Sequence, residues 1–142
     1  MGNLTVSLAE SMTGGKVAAR LVETPDASTY FNGGVVCYSD LSKVELLGVK
    51  EKTLELHGVV SAQTALEMAR GAKKLFHSDI ALSVTGYAGP KGEDVGVVYI
   101  GIIFKQHEDC KKLAIRGKSR QTIIDETTKI MIEHIEFLRK AP

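Results

Sequence analysis

Apolar positions along this chain follow two different periods. Short runs of strand length, Leu4 to Ala9, Val35 to Tyr38, Asp79 to Val84, Val95 to Phe104 and Lys111 to Ile115, alternate with stretches where apolar residues recur every three or four positions. The first helical stretch runs from Lys16 to Glu23 on Val17, Ala18, Leu21 and Val22, and Pro25 stops it. Asn32-Gly33-Gly34 reads as a turn before the second strand. Leu41, Val44 and Leu47 predict a short helix capped by Ser39 or Asp40 and closed by Gly48. Lys52 to Leu56 is a further helical piece ending at His57-Gly58, after which Ser61 opens a longer amphipathic helix to Phe76. Its apolar face is Ala65, Leu66, Met68, Ala69, Ala72, Leu75 and Phe76. A last helix starts at Ser119 and carries Ile123, Ile124, Thr127, Ile130, Met131, His134, Ile135 and Leu138.

Strands alternating with helices predict the α/β class: residues 1–142 form a single domain of three α/β/α layers. Its central sheet is expected to be mostly parallel but mixed, with about five strands. Val95 to Phe104 is nearly all apolar, as a strand covered on both faces must be, and its hairpin-like link to Lys111–Ile115 predicts one antiparallel member. The lysines at 111 and 112 mark an exposed edge, and exposed edges favour self-association into a homo-oligomer.

Composition narrows the function classes. With 44% hydrophobic and 25% charged residues the chain is an ordinary globular one. No apolar run approaches the roughly 20 residues of a membrane span, and no secretory pattern opens the chain, so a cytoplasmic location without membrane attachment is expected. A net charge of +1 gives no footprint for nucleic acid, which leaves a small molecule as the expected partner. Cys37 and Cys110 stand far apart without metal-ligand spacing and read as reduced, packed thiols.

Three loops compete for the ligand position beyond the carboxyl ends of the strands: Glu10 to Gly15, Tyr38 to Lys43, and Thr85 to Gly96. Their glycines let backbone amides approach a ligand closely. Gly15-Lys16 is no Walker site, because Glu10 and Val17 stand where its first glycine and its hydroxyl residue belong. The histidines, His57, His77, His107 and His134, are scattered and offer neither a metal set nor a triad base. The remaining way to activate a serine is a desolvated lysine, and Lys43 is the candidate. Taken alone, Ser11 or Thr13 also fits a helix N-cap, Glu10 a surface or capping carboxylate, and Lys43 a solvated helix lysine.

Ala9-Glu10-Ser11-Met12-Thr13-Gly14-Gly15, Gly33-Gly34-Val35-Val36-Cys37-Tyr38-Ser39-Asp40 with Lys43, Leu46-Leu47-Gly48-Val49, His57-Gly58-Val59-Val60-Ser61 and Val84-Thr85-Gly86-Tyr87-Ala88-Gly89-Pro90 carry a resemblance. Together they resemble the CinA carboxyl-terminal family, the PncC-type nicotinamide-nucleotide amidohydrolases, in its stand-alone form. The resemblance implies hydrolysis of nicotinamide mononucleotide to nicotinate mononucleotide and ammonia, without metal or cofactor and with a pyridine nucleotide as the small-molecule partner. It implies Ser11 as nucleophile and Lys43 with Tyr38 as proton relay. The amides of Thr13, Gly14 and Gly15 would hold an oxyanion, and Glu10 would lie among the substrate-binding residues. Thr85, Gly86 and Gly89 would shape the nucleotide pocket, and Arg120 would meet the phosphate. The chain departs from the family pattern at Met12 for cysteine, Asp40 for asparagine and Tyr87 for isoleucine, and Lys91-Gly92-Glu93-Asp94 shortens a Gly-rich loop. The alternative is a catalytically inactive nucleotide-binding or interaction protein of the same fold.

Overall fold

Residues 4–140 are described by a computed structural model. In chain order the elements are β1 (Val6–Glu10), α1 (Lys16–Leu21), β2 (Phe31–Val36), α2 (Asp40–Leu47), α3 (Glu51–His57), α4 (Ala62–Phe76), β3 (Ile80–Gly86), β4 (Val97–Phe104), β5 (His107–Ala114) and α5 (Arg120–Lys140). They build one five-stranded sheet in the order β2-β1-β3-β4-β5. β1 pairs in parallel with both β2 and β3, while β4 pairs antiparallel with β3 and β5, so β4 alone runs against the other strands. The three layers and the single reversed strand are those the hydrophobic pattern predicts.

Side-chain alternation decides what each face of the sheet meets. Val6, Leu8, Ile80, Leu82 and Val84 project into a core with Val17 of α1 and Ile123, Met131 and Ile135 of α5. Ala9 and Ala81, one residue out of step, face Met68, Ala69 and Ala72 of α4 and Leu47 of α2. The residues on this second face are small, so α4 lies close to the strands: a Cβ at Gly101 would run into the Ala65 carbonyl, and Ser83 donates to the same oxygen. The α2–α4 contact is equally tight, since a Cβ at Gly71 would collide with the Leu47 backbone. Alanine there gains about 1 kcal/mol of helix propensity, but forcing two backbones apart costs roughly 3 kcal/mol. Gly71→Ala should therefore lower the denaturant midpoint at unchanged m-value.

Local signals hold for most helices. Ser39 accepts from the Ser42 amide and Ser61 from the Thr64 amide as N-caps of α2 and α4, and Gly48 closes α2 at φ 72°. Asn32-Gly33-Gly34, however, is not a turn but lies inside β2. Val6 pairs with Phe31 and Ser7 with Gly33, which leaves Asn32 as the extra residue of a bulge. Gly33 sits where a Cβ would strike the Phe76 ring, and Gly34 lies against Leu8. The glycines thus serve close approach rather than chain reversal. At the other edge, β5 starts at His107, earlier than Lys111, because a two-residue link at Lys105-Gln106 joins it directly to β4. Leu75 is exposed rather than part of the α4 face.

Candidate active site

The carboxyl end of β1 delivers Ser11 and the end of β2 leads through Cys37 into α2, whose first turns carry Lys43. Both side chains are buried, Ser11 at 7% exposure and Lys43 at 0%. The Lys43 amine reaches across to the Ser11 hydroxyl at 2.9 Å and also meets the Cys37 carbonyl at 2.8 Å and the Tyr38 carbonyl at 3.2 Å. Burial pushes the Lys43 ammonium below its ordinary value, with the nearby Asp40 and Cys37 opposing the shift. The Cys37 thiol is pushed up by the same burial, and therefore stays protonated near neutral pH.

The amine's three partners are chemically unequal. The Cys37 and Tyr38 carbonyls can only accept, so they take two of the amine's hydrogens. Toward Ser11 the amine donates as well, and only on losing that proton would its lone pair face the hydroxyl, the one partner able to donate in return. The backbone on either side of residue 38 thereby fixes the amine against the serine.

Glu10 does not face a ligand. Its buried carboxylate accepts from the Thr13 hydroxyl at 2.6 Å and from the amides of Gly15, Val17 and Ala18 at 3.1, 3.0 and 2.9 Å. These are the unpaired amides of the first turn of α1, whose N-cap position is Gly15 at φ 98° with no side-chain cap of its own. Glu10 thus caps α1 from the strand before it, a role neither Ser11 nor Thr13 takes. Glu10, expected among the substrate-binding residues, therefore has its carboxylate engaged inside the protein.

The oxyanion expectation changes for the same reason. The Gly15 amide is held by Glu10, and the Gly14 amide donates to the Ser11 carbonyl at 3.0 Å. Among the described residues the Met12 and Thr13 amides meet no acceptor, so these are the donors left beside Ser11.

The other nominated residues gather around the β3–β4 link. Gly86, Gly89 and Arg120 line one hollow of about 380 Å³ together with Tyr87 and Lys91. Arg120 donates to the Gly89 carbonyl at 2.6 Å and to the Tyr38 phenol at 3.2 Å. Tyr38 therefore joins the two halves of the site, its carbonyl holding Lys43 and its phenol, 64% exposed, meeting Arg120 rather than Ser11. The Thr85 hydroxyl is buried and donates to the Val59 carbonyl at 2.9 Å, so it braces the loop instead of facing the hollow. Lys91, Gly92, Glu93 and Asp94 are all exposed. Among the described residues no group of three or more His, Cys, Asp or Glu side chains could hold a metal ion, and no helix is long and apolar enough to cross a membrane.

Of the readings the sequence offers for Glu10, the capping carboxylate is the one seen, whereas the two carbonyls that hold the amine were not foreseen. A sequence signal for the cap exists: a carboxylate ends a buried strand, and glycines at 14 and 15 let the chain curl back around it. The carbonyls leave no side-chain signal.

The chain is 47% identical over 133 residues to a CinA-like protein of Endomicrobium trichonymphae, an alignment that covers 91% of this chain and 31% of that protein. It spans about a third of the length of the curated relatives it matches. Its fold is similar to the competence/damage inducible protein CihA of Agrobacterium tumefaciens, with a TM-score of 0.92, 34% identity and coverage of 97% of this chain and 87% of that one. A CinA superfamily protein of Klebsiella pneumoniae gives a TM-score of 0.90 at 30% identity, covering 96% and 88%. With the CinA C-terminal domain profile matching residues 1–138, the chain belongs to the CinA C-terminal domain family.

Proposed function

We propose that this chain is a metal-independent amidohydrolase that converts nicotinamide mononucleotide to nicotinate mononucleotide and ammonia. The observation that carries the reading is the buried Lys43 amine, 2.9 Å from Ser11 and oriented by two carbonyls. The neutral amine takes the Ser11 proton as the hydroxyl oxygen attacks the carboxamide carbon. The tetrahedral oxyanion lies toward the Met12 and Thr13 amides, each such donor contributing on the order of 3 kcal/mol in serine hydrolases. The Lys43 ammonium returns its proton to the departing nitrogen, leaving ammonia and an ester on Ser11. Water, deprotonated by the same amine, then splits that ester to the carboxylate and restores the serine. The relay that the resemblance assigns to the Tyr38 phenol requires it to leave Arg120; its carbonyl already serves by holding the amine. Arg120 and Lys91 give the adjoining hollow the positive charge that a phosphate monoester needs.

A second reading, a catalytically silent nucleotide-binding protein, is favoured by the engagement of the Gly14 and Gly15 amides inside the protein, which thins the supply of oxyanion donors. Ser11→Ala separates the two. Ammonia release from nicotinamide mononucleotide should fall to background while calorimetric binding of the nucleotide persists. A wild-type protein that binds the nucleotide but releases no ammonia decides for the silent reading.

A further inference from the structure

The end of the sheet opposite Ser11, where β3 begins and β4 ends, carries a separate hollow of about 600 Å³. Arg70, Lys73 and Lys74 enter it from the last turns of α4, His77 from the cap of that helix, and Lys105 from the β4–β5 turn. Two carboxylates also line it, Glu108 paired with a cation and Asp79 bound through one oxygen to neutral donors only. Glu108 is held by Arg70 through two hydrogen bonds at 2.9 and 2.6 Å, and Asp79 accepts from the Thr5 amide and hydroxyl at 2.9 and 3.1 Å. Lys73 donates to the Ser78 carbonyl at 3.0 Å. Neither Lys74 nor Lys105 forms an ion pair among the described residues.

A second observation is independent of charge. The non-glycine residues with left-handed backbone are His77 at φ 52° and Lys105 at φ 58°, and both line this hollow. Each conformation carries backbone strain that glycine would avoid. Lys105 opens a two-residue hairpin turn, the position where glycine is ordinarily preferred. The plain account of Lys73 and Lys74 is that they offset the negative carboxyl end of α4. That account does not extend to Lys105, which lies on a different element.

We propose that this hollow binds a phosphate-bearing anion between Lys74 and Lys105, with His77 at its rim. Its volume falls within the roughly 300–1,000 Å³ of small-molecule sites, large enough for a phosphate ester and not only for the free ion. The site is separate from Ser11 and does not rest on the amidase reading.

The test is amide NMR of the whole chain titrated with inorganic phosphate, with adenosine 5′-monophosphate, and with sodium chloride at matched ionic strength. Phosphate should move the signals of residues 74, 77 and 105 to saturation, and chloride should not. Tighter binding of the monophosphate than of phosphate assigns the site to an ester; equal binding assigns it to the free ion. Lys105→Gly should raise the thermal midpoint by relieving the turn while weakening phosphate about tenfold, and Lys74→Gln should weaken it comparably without the gain in stability. Equal shifts with chloride, wild-type affinity in Lys105→Gly, or shifts confined to Lys91 and Arg120 would overturn the proposal.

Discussion

Replacing Lys43 by methionine is expected to lower the kcat/KM of ammonia release by ~10²–10⁴-fold, the range typical for loss of a positioned general base. Methionine keeps most of the stem's volume and removes only the amine, so Ser11 retains its place at the end of β1. The pH dependence makes the prediction specific. Under the proposed mechanism the working form is the neutral amine, so kcat/KM should rise with pH through a midpoint below the ordinary lysine value of 10.5, because burial lowers it. A rising limb no different from that of a solvated lysine would remove Lys43 from the base role.

The same shift fixes a sign for stability. Between its lowered folded value and 10.5 the amine is neutral in the folded chain and protonated in the unfolded one. The unfolded state then holds more protons, so stability rises with pH across that window. Above 10.5 the burial penalty is absent; below the folded value it is present in full and no longer changes. Lys43→Met should abolish this slope, read as the difference between the two proteins' denaturant midpoints against pH. Parallel curves would show that Lys43 titrates alike folded and unfolded.

How far the sequence reaches is clear from particular residues. The three-layer fold was legible because Val6/Leu8 and Ile80/Leu82/Val84 alternate with Ala9 and Ala81, while α4 and α5 show helical spacing. Ser39, Gly48 and Ser61 announced the helix ends through ordinary capping chemistry. Gly33 and Gly34 misled because a glycine needed for close approach to Phe76 and Leu8 is written with the same letter as one needed for a turn. At the site, Lys43 and Ser11 could be nominated, but their 2.9 Å contact depends on the β1–β2 register, which no local pattern encodes. The Tyr38–Arg120 contact joins residues 82 positions apart and was equally out of reach.

Glu10→Ala is expected to cost roughly 3 kcal/mol or more, since it strips the acceptor from three backbone amides and one buried hydroxyl, each orphaned donor costing about 1–3 kcal/mol. Water can reach Gly15, which is only half-buried, so the full sum will not be paid. Glu10→Gln keeps the shape, but its NH₂ group must replace one carboxylate oxygen and then either opposes the Ala18 amide, donor against donor, or meets the cluster around Thr13. The loss should be smaller, about 1–2 kcal/mol. Chemical denaturation measures both, and steady-state kinetics separate this account from substrate binding. A capping carboxylate next to Ser11 fixes the entry of the chain into α1, so its loss should lower stability and kcat together, through misplacement of the serine and of the Met12 and Thr13 amides. A ligand-binding carboxylate would instead raise KM and leave the unfolding curve in place. An unchanged midpoint for Glu10→Ala would mean that the amides of α1 find other partners, and that the strand end is not what holds Ser11 against Lys43.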